Sequence, residues 1–107
     1  MYRIFRTDWY ETKFKRLSKP EQDRVVKFEQ ELKLQPYDGK PLGYKFFREK
    51  KFNGKRLIFL VYESHEVVFL ITIADKKVQQ QEIEVIKANL DVYNDMVENT
   101  LKNIKSP

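Results

Sequence analysis

The sequence predicts an α+β domain. A short N-terminal strand and a two-helix hairpin pack on an antiparallel sheet of about four strands, and a long C-terminal helix follows. Three observations predict it. Apolar residues recur at helical spacing early in the chain (Tyr10, Phe14, Leu17, then Val25, Phe28, Leu32) and again late (Ile83, Ile86, Leu90, Tyr93, Val97). Between these regions the period changes to two. Two runs there, RLIFLVY at 56–62 and VVFLITIA at 67–74, are apolar on both faces and belong in mid-sheet with both sides covered. The helical hairpin can cover one side, which leaves the last helix or a partner for the other.

Tyr2 to Arg6 reads as a first strand, ended by Asp8. Asp8 and Glu11 have the spacing of a capping box, in which the first side chain accepts from a free backbone N–H and the acid reaches back, so a helix is expected from about Trp9 to Leu17. Ser18 and Glu21 repeat the device, with Pro20 tolerated in the first turn of a second helix. Pro36 to Gly43 holds two Gly and two Pro in eight positions and reads as a loop. Tyr44 to Lys51 then reads as a strand, Phe52-Asn53-Gly54-Lys55 as an Asn-Gly turn, Arg56 to Tyr62 as the next strand, and Val67 to Ala74 as the last. The final stripe steps by 3, 4, 3 and 4 and continues through Leu101 and Ile104. One helix from about Gln80 to Lys102 would be about 35 Å long at 1.5 Å per residue, which exceeds the span of a domain this small. It either packs along the sheet with a frayed end or projects as an arm used in assembly. The length favours the arm, and with it a homodimer or partner contact through Tyr93 to Ile104.

With 107 residues the chain is expected to be one domain, 1–107, with a helical extension over about 95–107. A 41% hydrophobic fraction supports a folded core despite 35% charged residues. The absence of cysteine excludes disulfides and thiol chemistry, and a single histidine argues against a metal centre, so no cofactor is expected. His65, in Glu63-Ser64-His65-Glu66, reads as an exposed turn residue rather than a base. No apolar run is long enough for a signal peptide or a membrane span, so a cytoplasmic location without membrane contact is expected.

The charge is concentrated. Tyr44 to Arg56, YKFFREKKFNGKR, sets six cations (Lys45, Arg48, Lys50, Lys51, Lys55, Arg56) against Glu49, and six minus one equals the net charge of the whole chain, +5. Cations on a sheet can neutralise phosphates, and Tyr44, Phe46, Phe47 and Phe52 offer faces on which bases could stack. The alternative is an edge strand whose lysines only block aggregation.

The order of elements and three motifs carry a resemblance. Leu42-Gly43-Tyr44-Lys45, Gly54-Lys55-Arg56-Leu57-Ile58-Phe59, and Ile71-Thr72-Ile73-Ala74-Asp75-Lys76-Lys77-Val78-Gln79 before Glu82-Ile83 resemble the RelE/ParE superfamily of type II toxins, and within it the HigB-like branch. The resemblance covers most of the chain and is most specific in its second half. It implies a RelE-like microbial ribonuclease fold and a ribosome-dependent endoribonuclease, an mRNA interferase held silent by a cognate antitoxin, whose partners are mRNA and the ribosome. The chemistry implied is attack of a ribose 2′-hydroxyl on the adjacent phosphate without a metal. Carried over by position, Arg56 is the phosphate clamp, Lys76 or Lys77 the cation after the last strand, and Lys45, with Arg48, the basic residue of the first hairpin strand. Lys50, Lys51, Lys55 and Phe47 complete the expected RNA contact. The chain departs from the family where a Tyr or His often heads the final helix: here stand Gln79, Gln80, Gln81 and Glu82, of which Glu82 is a candidate base or an ordinary first-turn acid. That departure keeps two alternatives open, a ParE-like topoisomerase inhibitor and a catalytically decayed RNA- or ribosome-binding member. For Arg56 the structural alternative is a salt bridge to Glu49 across the hairpin.

Overall fold

A computed structural model describes residues 1–105. The elements are β1 (Arg3–Arg6), α1 (Asp8–Lys15), α2 (Lys19–Leu34), β2 (Lys40–Tyr44), β3 (Phe47–Phe52), β4 (Lys55–Tyr62), β5 (Val67–Asp75), α3 (Gln79–Ala88) and α4 (Leu90–Lys105). Ser106 and Pro107, the end of the expected 95–107 extension, lie outside the described residues. The strands form one sheet in the order β1-β5-β4-β3-β2, with β1 parallel to β5 and every other pair antiparallel.

The α+β class is the one observed, with five strands rather than about four. The added strand is β2, which lies in the segment read as a loop. It pairs with β3 through Lys40 opposite Glu49 and Pro41 opposite Arg48, and a bulge follows. Proline is tolerated there because β2 is an edge. Gly39 leads into it at φ +84°, and a Cβ at that position would collide with the Glu49 carbonyl oxygen, so only glycine lets the edge approach. The strand expected from Tyr44 to Lys51 is therefore split: Tyr44 ends β2, and β3 begins at Phe47.

Both sheet faces are covered. One core contains Tyr10, Val25, Leu32, Leu57, Phe59 and Leu70, which places α1 and α2 on that face. The other contains Ile58, Leu60, Phe69, Ile83, Val97 and Leu101, which places α3 and α4 opposite. This is why the middles of β4 and β5 carry apolar residues on both faces. The Ser18–Glu21 capping box at the start of α2 is present as expected, whereas α1 is capped one residue earlier than expected, by Thr7, whose hydroxyl accepts from Tyr10 N at 2.9 Å.

The long terminal helix is broken. Asn89 interrupts it, and the Asn89 side chain donates to Val85 O at 2.7 Å, a local bond that competes with helix continuation. The apolar stripe runs across the break because α3 and α4 bury it against the same face. Val97 is fully buried and Leu101 nearly so. The projecting arm is thus corrected to a helix folded onto its own sheet, although Ile104 near its end is exposed.

Candidate functional site

Alternation along β3 and β4 sorts the basic hairpin onto two faces. Glu49 stands opposite Ile58, Lys51 opposite Arg56, and Arg56 in turn opposite Ala74 of β5. Ile58 and Ala74 belong to the core beneath α3, so Glu49, Lys51 and Arg56 share that face. Arg48, opposite Phe59, and Lys50, opposite Leu57, lie on the α2 face.

On the α3 face, the Arg56 side chain is largely buried and its Nε lies 3.9 Å from Glu49 Oε2. The ion pair offered above as the structural alternative is thus present, but it is long. Arg56 Nη1 reaches Lys55 O at 3.4 Å, and Arg56 Nε is a buried donor without a hydrogen-bond partner among the described residues. Glu49, only 3% exposed, takes its short bond from elsewhere: Gln79 at the head of α3 donates to Oε2 at 2.7 Å. The guanidinium is therefore anchored on one side and incompletely satisfied.

Cations without an ion pair among the described residues stand on the same face and in the turn after β5. Lys51 is exposed and has no ion pair with any described residue. Lys76 and Lys77 are exposed in the turn after β5, which Asp75 holds tight by accepting from the Lys77 and Val78 backbone N–H groups at 2.9 and 3.2 Å. Lys40, directly opposite Glu49 on β2, joins the same face. Lys40 is not legible as a site residue in the sequence, because Pro36 to Gly43 reads there as a loop. Little local signal marks this strand: β2 is exposed at both ends with only Leu42 half-buried, and Pro41 and Gly43 read as loop residues.

The remaining expected contacts are not brought together with Arg56, for identifiable reasons. Arg48 is 9% exposed, and its guanidinium donates to Asp38 O, Lys45 O and Gly39 O at 3.2, 3.0 and 2.9 Å, locking the approach to β2 and the turn after it. Lys50 is ion-paired to Asp38 at 2.6 Å, a hydrogen bond that holds the Asp38 carboxyl below its ordinary range. Lys55 pairs with Glu21 at 2.8 Å and lowers it likewise. Lys45 lies over the Tyr37 ring at 4.6 Å, on the α2 side and beyond the far end of β3, about 20 Å along the strand from Lys51 at 3.3 Å per residue. Phe47, expected to stack on a base, is completely buried in the core. Glu82, the candidate base, has both carboxylate oxygens engaged, by Lys13 at 2.8 Å and by Thr72 Oγ1 at 2.8 Å. Lys13 Nζ also donates to Ile73 O at 3.1 Å. Glu82 therefore ties α1, β5 and α3 together.

The chemistry this arrangement offers is anion recognition. A phosphate on the α3 face beside Arg56 and Lys51 would complete the partial coordination of Arg56, with Lys40 farther along the same face and Lys76 in the turn after β5 adding positive charge.

The α+β fold has solved counterparts. No protein-family model and no curated protein matches the chain in sequence. Among solved structures, the E. coli toxin RelE in the free state, a doubly substituted variant, aligns with a TM-score of 0.69 at 19% identity, over 81% of this chain and 96% of that one. A chain of the intact E. coli RelBE toxin–antitoxin complex gives 0.65 at 20% identity, covering 70% and 96%. One of the archaeal RelE–RelB complex from Pyrococcus horikoshii gives 0.62 at 18%, covering 70% and 94%. The fold is that of the RelE toxins.

Proposed function

We propose that this chain is the toxin of a type II toxin–antitoxin system, of the HigB-like branch, and that it cuts mRNA on the ribosome as a metal-independent endoribonuclease of the cytoplasm. The observation that carries this reading is Arg56, incompletely satisfied, with Lys40 and Lys51 on its face and Lys76 and Lys77 in the turn after β5, none of them ion-paired among the described residues, on a sheet of RelE type. In the reaction the ribose 2′-oxygen bonds to the adjacent phosphorus and loses its proton, the bond to the 5′-oxygen breaks, and that oxygen takes up a proton. The products are a 2′,3′-cyclic phosphate and a 5′-hydroxyl. Arg56 and the lysines beside it stabilise the extra negative charge of the phosphorane, and the lysines and solvent carry the protons. The partner that silences the site is a cognate antitoxin, since RelE-type chains are crystallised with RelB antitoxins. The segment that covers Arg56 and Lys76 is expected to be acidic.

Gln79 and Glu49 favour one second reading, a decayed member that binds RNA without cutting it. The head of α3 carries an amide already bonded to a carboxylate, where the family often has Tyr or His. Induced expression with mapping of mRNA 5′ ends separates the readings. New ends that disappear in Arg56→Ala, with the melting temperature shifted by only a few degrees, support cleavage. RNA binding without new ends supports the decayed member. Growth arrest with altered DNA supercoiling and intact transcripts identifies a ParE-like topoisomerase inhibitor.

A further inference from the structure

The α3 face is not the only recessed surface. A cavity of about 550 Å³ opens where the turn between β2 and β3 meets the start of α4. Its floor is apolar: Phe46, Val61, Tyr62 and Leu90. The Phe46 ring is held over it because Val61 N donates to Phe46 O at 2.8 Å, and Tyr44 stacks behind, ring centroids 5.0 Å apart. Both aromatics are substantially exposed, at 48% for Tyr44 and 37% for Phe46. The break at Asn89 builds the opposite wall, since it lets α4 begin at Leu90 and turns Asp91, Asn94 and Asp95 to the cavity while Tyr93, Val97 and Leu101 face the core.

The charge of this wall is opposite to that of the chain. Neither Asp91 nor Asp95 forms an ion pair with any described residue, and no lysine or arginine among the described residues lines the cavity. An acid in the first turn of a helix is accounted for by the helix dipole, which covers Asp91. Asp95 lies a turn further on and gains little from it. Tyr62 adds a polar handle: its hydroxyl makes no hydrogen bond to a described residue, and burial, with Tyr93 behind it, keeps the phenol protonated as a donor.

We infer that this groove docks a segment of a partner protein in which a bulky apolar side chain is flanked by lysine or arginine. The apolar floor takes the side chain, Asp91 and Asp95 take the flanking cations, and Tyr62 and Asn94 offer hydrogen bonds to the backbone. RNA is disfavoured, because its phosphates would face two unpaired carboxylates. The inference is independent of the nuclease reading, as no residue of the groove belongs to the Arg56 site.

The test is a titration of the 15N-labelled full chain, to millimolar concentration, with a short amphipathic peptide carrying two leucines one helical turn apart and flanking lysines. The control peptide carries glutamates in place of the lysines. The lysine peptide is expected to shift the amides of Phe46, Tyr62 and Asn94 and to bind there at least tenfold more tightly than the control. The double variant Asp91→Lys, Asp95→Lys alters only exposed positions and is expected to reverse the preference while the rest of its spectrum is unchanged. Equal binding of the two peptides, no shift at the groove, or an order unaffected by charge reversal overturns the inference. So does a shift of the same amides by an oligouridine RNA, or by self-association of the protein alone.

Discussion

Glu82→Ala separates a catalytic carboxylate from a structural one. The substitution removes the anion that satisfies Lys13, 22% exposed, and the acceptor of the Thr72 hydroxyl, which is fully buried. Lys13 keeps the Ile73 carbonyl, a long 3.5 Å approach to Thr72 and the Trp9 ring at 5.4 Å. Hydrogen bonds to charged groups contribute about 1.5–3 kcal/mol, and breaking a fully buried pair costs about 3–5 kcal/mol. Because water reaches Lys13, the expected loss is about 2–3 kcal/mol, toward the lower of these ranges. For a domain near 100 residues this lowers the melting temperature by roughly 10 °C at about 4–5 °C per kcal/mol. Glu82→Gln keeps the shape and one acceptor and is expected to lose about half as much. Cleavage per folded molecule, measured well below the transition, should be unchanged in both variants. A Glu82→Ala protein that melts within a few degrees of the parent yet loses cleavage a hundredfold would refute the structural role and restore Glu82 as the base.

Other outcomes follow from the same contacts. Lys51→Ala and Lys76→Ala should each reduce the slope of log affinity for single-stranded RNA against log salt by about 0.7, whereas Lys50→Ala and Lys55→Ala, neutralised on the other face, should leave it unchanged. Truncation after Asn94 removes Val97 and Leu101 from the core; burying two such side chains contributes about 3–6 kcal/mol, so the shortened chain should lose its cooperative thermal transition, and an unchanged melting curve would return α4 to the status of an arm. The lowered Asp38 carboxyl contributes stability above its unfolded value near ~3.9, and that stability is lost as pH falls through the lower folded value. Denaturant midpoints for Asp38→Asn and the parent should therefore converge in strong acid and differ, at a constant gap, from pH 5 to 8.

What was legible in the chain was local. The Ser18–Glu21 cap, the Asn-Gly turn and the double-sided apolar strands each depend on residues a few positions apart, and each is found in place. The pairing of β1 beside β5 is not local: it is fixed by how α1 and α2 return the chain, and no residue between Arg3 and Arg6 announces a parallel neighbour. Strand β2 was hidden by Pro41 and Gly43, which read as loop residues until the edge position is known. The break at Asn89 was hidden for the opposite reason. Both helices press the same stripe on the same face, so the periodicity that revealed them also concealed the joint.

The site shows why a charged segment of sequence is not yet a binding surface. Counted along the chain, six cations stand against one acid. Folding sorts them by alternation and then pairs them, and the α2 side satisfies Lys50, Lys55 and Arg48 with Asp38, Glu21 and three carbonyls. A phosphate arriving there would have to displace an existing partner, which offsets most of the gain. On the α3 side Lys40, Lys51, Lys76 and Lys77 have no partner among the described residues, and Arg56 has an incomplete one, so a phosphate adds interactions without removing any. Two of these groups, Lys51 and Arg56, lie on the two strands of the expected hairpin, two follow β5, and one, Lys40, comes from the edge strand that the sequence concealed. The affinity for an anion therefore resides in the charge left over after internal pairing. That remainder depends on contacts between residues distant in the chain, which is why Arg56, Lys51, Lys76 and Lys77 could be nominated from sequence but not told apart from Arg48 and Lys50.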